Sequence, residues 1–304
     1  MLLTRRTGRD GGTPPSRHRL ILIAAVLTGL GATAAPALPH RSRAGAPPPA
    51  AGLDELRRLP PIYEAMYHRG AQKRLIDAAQ TRLIGRCMAA AGLTYDAGDP
   101  APVEQDDVLL RPFGVESTAD TPPDVPENPE RTGAQAERYA RVLYGDPAKR
   151  VTARGATLAV SASADGCQAD AENALAGADR VRQMELRIRL YEAESAALTR
   201  FETESDVAAL RREWQGCVRE QGITAAGPAE LFDSLPAGTD LATDHTVAVD
   251  LACKERTGYL RRAYTTMARL QNRELDSRPG LLADWNRIQE HQVAAAQAIL
   301  HEPN

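Results

Sequence analysis

Two of the four cysteines in this chain sit in the same local pattern, and that constrains its fold more than any other feature. Cys87-Met88-Ala89-Ala90-Ala91-Gly92-Leu93-Thr94 and Cys217-Val218-Arg219-Glu220-Gln221-Gly222-Ile223-Thr224 both read C-x4-G-[LI]-T where a helical pattern stops. The glycine supplies the left-handed residue that ends a helix, and the next apolar residue folds back on the last turn. The other two cysteines also resemble each other. Asp165-Gly166-Cys167 and Asp250-Leu251-Ala252-Cys253 each carry an aspartate just upstream, placed to cap a helix start, with a helical pattern after it. The chain reads as one unit written twice, each unit joining the end of one helix to the start of another. Of the three possible connectivities this favours Cys87–Cys167 and Cys217–Cys253. No C-x-x-C pair occurs and no histidine stands at ligand spacing, so neither a zinc site nor a redox pair is expected.

Disulfides imply an oxidising compartment, and the N-terminus agrees. Arg17-His18-Arg19 precedes the apolar run Leu20 to Leu27, and small residues follow through Ala35. This is the order of a secretory leader, with Ala32-Thr33-Ala34 as its cleavage site. The leader is expected over 1–34. The competing reading is a retained anchor, but the run spans only about 16 residues where a membrane helix wants about 20. No cysteine follows the run closely, which excludes a lipoprotein. Residues 1–34 hold five Arg against one Asp, so of the net charge of −3 the remainder carries −7. That sign turns the mature chain away from nucleic acid and anionic lipid.

Beyond the leader, 35–52 reads as a Pro/Ala-rich linker. A first helical unit is expected over 53–200 and a second over 201–304, the two forming one compact domain. The first carries an irregular acidic insertion at 96–131, tethered by Leu109, Leu110, Phe113 and Val115. An apolar face runs from Ile62 to Cys87 through Ile76, Ala79 and Leu83. A short helix is expected from Ala134 to Tyr144, ended by Gly145. Val151 and Leu158-Ala159-Val160, around Arg154-Gly155, predict a small β-hairpin at about 150–162.

Val181, Met184, Ile188, Tyr191 and Leu198 fall at helix-packing spacing, with Ser195 at the skipped position. They are expected to form an internal, coiled-coil-like seam rather than a face for a partner helix. Ser205 is the expected N-cap of a helix ending near Cys217. A further helix is expected from Thr246 to Leu275, and a last one from Leu281 bearing Trp285, Ile288, Ala295 and Ile299. Only 4% of residues are aromatic, so the core must rest largely on Ala, Leu, Val and Ile. The fold class expected is mainly α, a helical bundle of long hairpins with one β-hairpin and two disulfides.

The pattern Trp214-x-x-Cys217-x4-Gly222, with Ala248-Val249-Asp250-x-x-Cys253-x3-Thr257-Gly258 and the Cys87-Met88 and Gly166-Cys167 steps, resembles a group of exported actinobacterial proteins of unknown function. It covers residues 75–95 and 150–275 and is a cysteine and glycine framework. It implies a fold and export, and carries no catalytic residue. The second unit departs from the first at Val218 and Ala225, where Met88 and Tyr95 stand.

No G-x-S-x-G, H-E-x-x-H, S-x-x-K or P-loop occurs beyond the leader. His68, His245, His291 and His301 are expected on polar faces. Glu104, Asp106 and Asp107 lack the loop pattern of a calcium site and read as solvated. No catalytic, cofactor-binding or metal residue is therefore assigned, and no cofactor is expected. The function expected is that of an exported non-enzymatic protein binding a cell-envelope or secreted partner, with 96–131 as its contact region. One alternative is a membrane-tethered assembly factor that keeps its N-terminal segment. The other is an extracellular hydrolase with a non-standard carboxylate site.

Overall fold

The computed structural model describes residues 52–95, 111–119 and 133–302, which belong to one compact unit. The expected leader, nearly all of the linker, and the flanks of the insertion at 96–110 and 120–131 lie outside the described residues, with Glu104, Asp106, Asp107, Leu109 and Leu110 among them.

Two short helices come first, α1 (Leu53–Arg58) and α2 (Pro61–Tyr67). Pro61 opens α2, a position where the missing N–H has no partner to lose and the fixed φ suits the helix. The chain breaks at His68 and Arg69 before α3 (Gly70–Ala90), so the apolar face from Ile62 to Cys87 belongs to two helices. Next come α4 (Gly133–Tyr144) and the antiparallel pair β1 (Arg150–Arg154) and β2 (Ala159–Ser163), with Arg150 opposite Ser163. α5 (Cys167–Ala176) leads through a 3-10 turn at Gly177–Asp179 into α6 (Arg180–Thr203) and α7 (Ser205–Glu220). α8 (Pro228–Asp233), α9 (His245–Thr257), α10 (Tyr259–Asp276) and α11 (Leu281–His301) complete the described chain. Among the described residues the fold is mainly α with one small hairpin and two disulfides.

Three expected boundaries shift. The helix from Thr246 to Leu275 is two helices, because Gly258 takes a left-handed conformation at φ 61° and turns the chain. Ser205 is the first residue of α7 and forms no cap; Glu204 holds the cap position without a side-chain bond. Asp244 is the true cap of α9, accepting from Val247 N at 3.0 Å.

The disulfides are Cys87–Cys167 and Cys217–Cys253, each with Cα atoms 5.6 Å apart. Both C-x4-G helix ends close alike. Leu93 N donates to Met88 O at 2.9 Å and Ile223 N to Val218 O at 3.0 Å, with Gly92 and Gly222 at positive φ. The other two cysteines do not match each other. Cys167 begins α5, as expected, but Cys253 lies well inside α9, and Asp250 caps nothing. The joint at Cys167 is tight: Gly166 and Gly145 touch backbone to backbone, and a Cβ on Gly166 would fall 2.3 Å from Gly145 N. Arg138 of α4 reaches across to cap the end of α3 through Ala91 O at 2.8 Å.

α10 packs along α6 around Ala197, Phe201, Ala263, Met267 and Leu270, with Trp214 at the centre of the same cluster. Residues 111–119 enter this core. Phe113 stands edge-on to Tyr264 with ring centroids 4.8 Å apart, and Val115 and Glu116 are buried beside it. Gly114, at φ 76°, passes so close to Pro228 that a Cβ would sit 2.3 Å from its carbonyl oxygen. The centre of the insertion expected to face partners is thus a strap through the core.

Candidate functional site

α6 presents two apolar sides. The side turned into the core carries Leu186, Leu190, Ala193, Ala197 and Phe201, all buried. The expected seam lies on roughly the opposite side. Of its residues only Ile188 is buried; Val181 and Met184 are half-buried, and Tyr191 and Leu198 are 47% and 41% exposed. Bulky residues stand on both sides of α6, and the buried set is broken in its middle by two alanines. Ala193 and Ala197 lie in the core clusters of α6, where small side chains allow close helix approach, whereas a pattern read from bulky residues passes over them.

The hairpin covers part of this outer side. Glu192 holds the hairpin's turn: its carboxylate accepts from Ala156 N at 3.0 Å, Thr157 N at 2.6 Å, Leu158 N at 3.0 Å and Thr157 Oγ1 at 2.9 Å. Gly155 makes the approach possible, since a Cβ there would fall 2.5 Å from Ile188 Cγ2. Arg180 ties the other end, donating to Ser163 O at 2.8 Å and to Glu172. Beyond the turn a groove of about 540 Å³ opens, lined by Thr157, Arg189, Tyr191, Glu192, Ser195 and Arg278 among others.

Partial burial pushes the Glu192 carboxyl up, but the three amides and the hydroxyl outweigh it and hold the group below the usual carboxylate range. A depressed folded value means that the stabilisation is present above the unfolded value and lost as pH falls through the folded one. The hairpin turn is therefore expected to loosen only in acid. Glu192→Ala should do the same at neutral pH, at a cost of about 1–2 kcal/mol. Amide hydrogen exchange at Thr157 and Leu158 checks this; unchanged protection in the variant would show that the hairpin holds itself.

A second polar group lies inside the protein. Asp250 and Lys254 of α9 and Glu116 of the strap are buried together. Asp250 accepts from Trp214 Nε1 at 3.0 Å through Oδ1 and from Lys254 Nζ at 2.7 Å through Oδ2. Lys254 also donates to Val115 O. Glu116 Oε2 accepts from Arg57 Nε at 2.9 Å and Tyr264 Oη at 2.7 Å, while its buried Oε1 has no hydrogen-bond partner among the described residues. Burial raises Asp250 and Glu116 above the usual carboxylate range and lowers Lys254, against the opposing pull of their partners. Carboxyls with raised proton affinity are where acid–base chemistry is sought, yet these two are buried in the core.

Of the expected surface histidines, His245, His291 and His301 are exposed and His68 is half-buried. The buried Asp250–Lys254–Glu116 cluster carries no catalytic sequence motif; the Asp–Lys spacing of one helical turn was its one legible sign. Among the described residues no helix is long and apolar enough to cross a membrane. Comparison with family models, curated proteins and solved structures finds no match.

Proposed function

We propose that this chain is an exported, non-enzymatic scaffold that binds another envelope or secreted component through the outer side of α6. The observation that carries the reading is the pair Tyr191 and Leu198. Single exposed apolar residues are ordinary on any surface. Here a tyrosine and a leucine stand two turns apart on one helix side, beside an open groove and next to a hairpin pinned by Glu192. Aromatic anchors on a rigid element are the usual centre of a binding surface. The disulfides, the leader pattern at 1–34 and the likeness to exported actinobacterial proteins support an extracytoplasmic place for it. The like-ended helices at Cys87 and Cys217 support an internal duplication. The hydrolase alternative is less favoured, because Glu116 and Asp250 are sealed from solvent.

A photo-crosslinking residue at Ser195, introduced into the full chain in its native host, tests the surface. A discrete adduct is expected in the supernatant or envelope fraction. It should fall by at least about thirty-fold in a Tyr191→Asp/Leu198→Asp variant of unchanged melting temperature, the loss typical of hot-spot residues. No adduct at Ser195, or one indifferent to the double substitution, would overturn the assignment. Mapping the mature N-terminus in the same fractions separates a chain starting near Ala35 from one that keeps its N-terminal segment as an anchor.

A further inference from the structure

We propose that Lys254 and Asp250 become joined by an amide bond from Nζ to the aspartate Cγ, formed inside the folded protein. The two residues lie one turn apart on the same side of α9, so a bond between them spans the turn without moving the backbone. Their reacting groups are already in contact, with Nζ 2.7 Å from Oδ2. The Val115 carbonyl holds the amine by one N–H, and the Trp214 indole donates at 3.0 Å to the other carboxyl oxygen, Oδ1.

Each neighbour has a place in the reaction. The Nζ lone pair adds to Cγ, forming the C–N bond and placing negative charge on Oδ1, where the indole N–H stabilises it. The proton shed by nitrogen passes to Oδ2 along the hydrogen bond that already joins them at 2.7 Å. The Cγ–Oδ2 bond then breaks and one water leaves, with nothing oxidised or reduced. Glu116 stands apart from this step, its Oε2 held by Arg57 and Tyr264. Burial also favours the reactive forms, a neutral amine and a neutral acid. An ion pair would keep two desolvated charges in the core, whereas the amide removes both. Exclusion of water protects the product from hydrolysis.

A peptide map decides the matter on the unaltered full chain. After reduction, alkylation and trypsin, a free Lys254 gives a peptide ending at that residue, from Glu220 to Lys254. The amide blocks that cleavage. The expected product runs from Glu220 to Arg256, lighter by one water, with fragmentation placing the deficit between Asp250 and Lys254. Cleavage after Lys254 at full mass overturns the proposal. In Trp214→Phe, which removes the donor to Oδ1, with an unchanged helical circular dichroism spectrum, the cleavable peptide should reappear. Persistence of the blocked peptide in that variant would remove the indole from the reaction.

Discussion

Cys87→Ala/Cys167→Ala is expected to lose about 4.5 kcal/mol of folding stability, the chain-entropy value for a bridge across 80 residues. Against a total of about 5–15 kcal/mol for an ordinary domain, that is enough to leave the protein barely folded. The expectation follows from what the bridge joins. α3 and α5 meet through a modest cluster of Ile84, Met88, Leu143 and Ala171, and through Ala79 against Leu175. The long connection between them includes the strap and α4, so the unfolded chain gains much freedom when the link goes. Guanidinium unfolding of the variant and the parent, both with Cys217–Cys253 intact, measures the difference. A loss below about 2 kcal/mol would mean that packing at this joint, or residual structure in the unfolded chain, already does what the bridge is credited with.

Trp214→Ala is the second large effect, at about 3–5 kcal/mol for emptying a fully buried aromatic site. Trp214 is wholly buried beside Leu210, Tyr259 and the Cys217–Cys253 bridge, and its indole N–H satisfies Asp250 Oδ1. The two contributions can be separated. Trp214→Phe keeps most of the volume and removes only the donor, so it should cost about 1–3 kcal/mol for the unsatisfied buried acceptor. Thermal unfolding of both variants gives the split. If the phenylalanine variant were as stable as the parent, Asp250 would have to find another donor, and the indole bond would carry no weight in the fold.

The helical class, the hairpin near 150–162 and the disulfide pairing were all legible before the structure, for local reasons. A glycine that must adopt positive φ announces a helix end wherever it stands, and Gly92 and Gly222 each did so. The pairing came out right although half of its rationale did not, since Cys253 lies inside α9 and Asp250 caps nothing. What escaped the sequence depends on contacts between distant segments. The phase of α6 was misread because Ala193 and Ala197, not Tyr191 and Leu198, face the core. The insertion was expected to be tethered through Phe113 and Val115, and both are buried; its use as a contact region was misread because Pro, Asp and Glu dominate 96–131, and nothing local reveals that Tyr264, Arg57 and Pro228 wait for the strap. The buried Asp250–Lys254 pair is likewise visible only as helical spacing until Trp214 and the strap close over it.

The two bridges also have an order. Each cysteine is bonded to its neighbour in the chain, first with second and third with fourth, so the covalent loops follow one another and neither encloses nor interlaces with the other. A polypeptide emerging N-terminus first therefore holds both members of the first pair before either member of the second appears. Oxidation in order of appearance yields the native pairing directly, without the slow reshuffling that interleaved bridges demand.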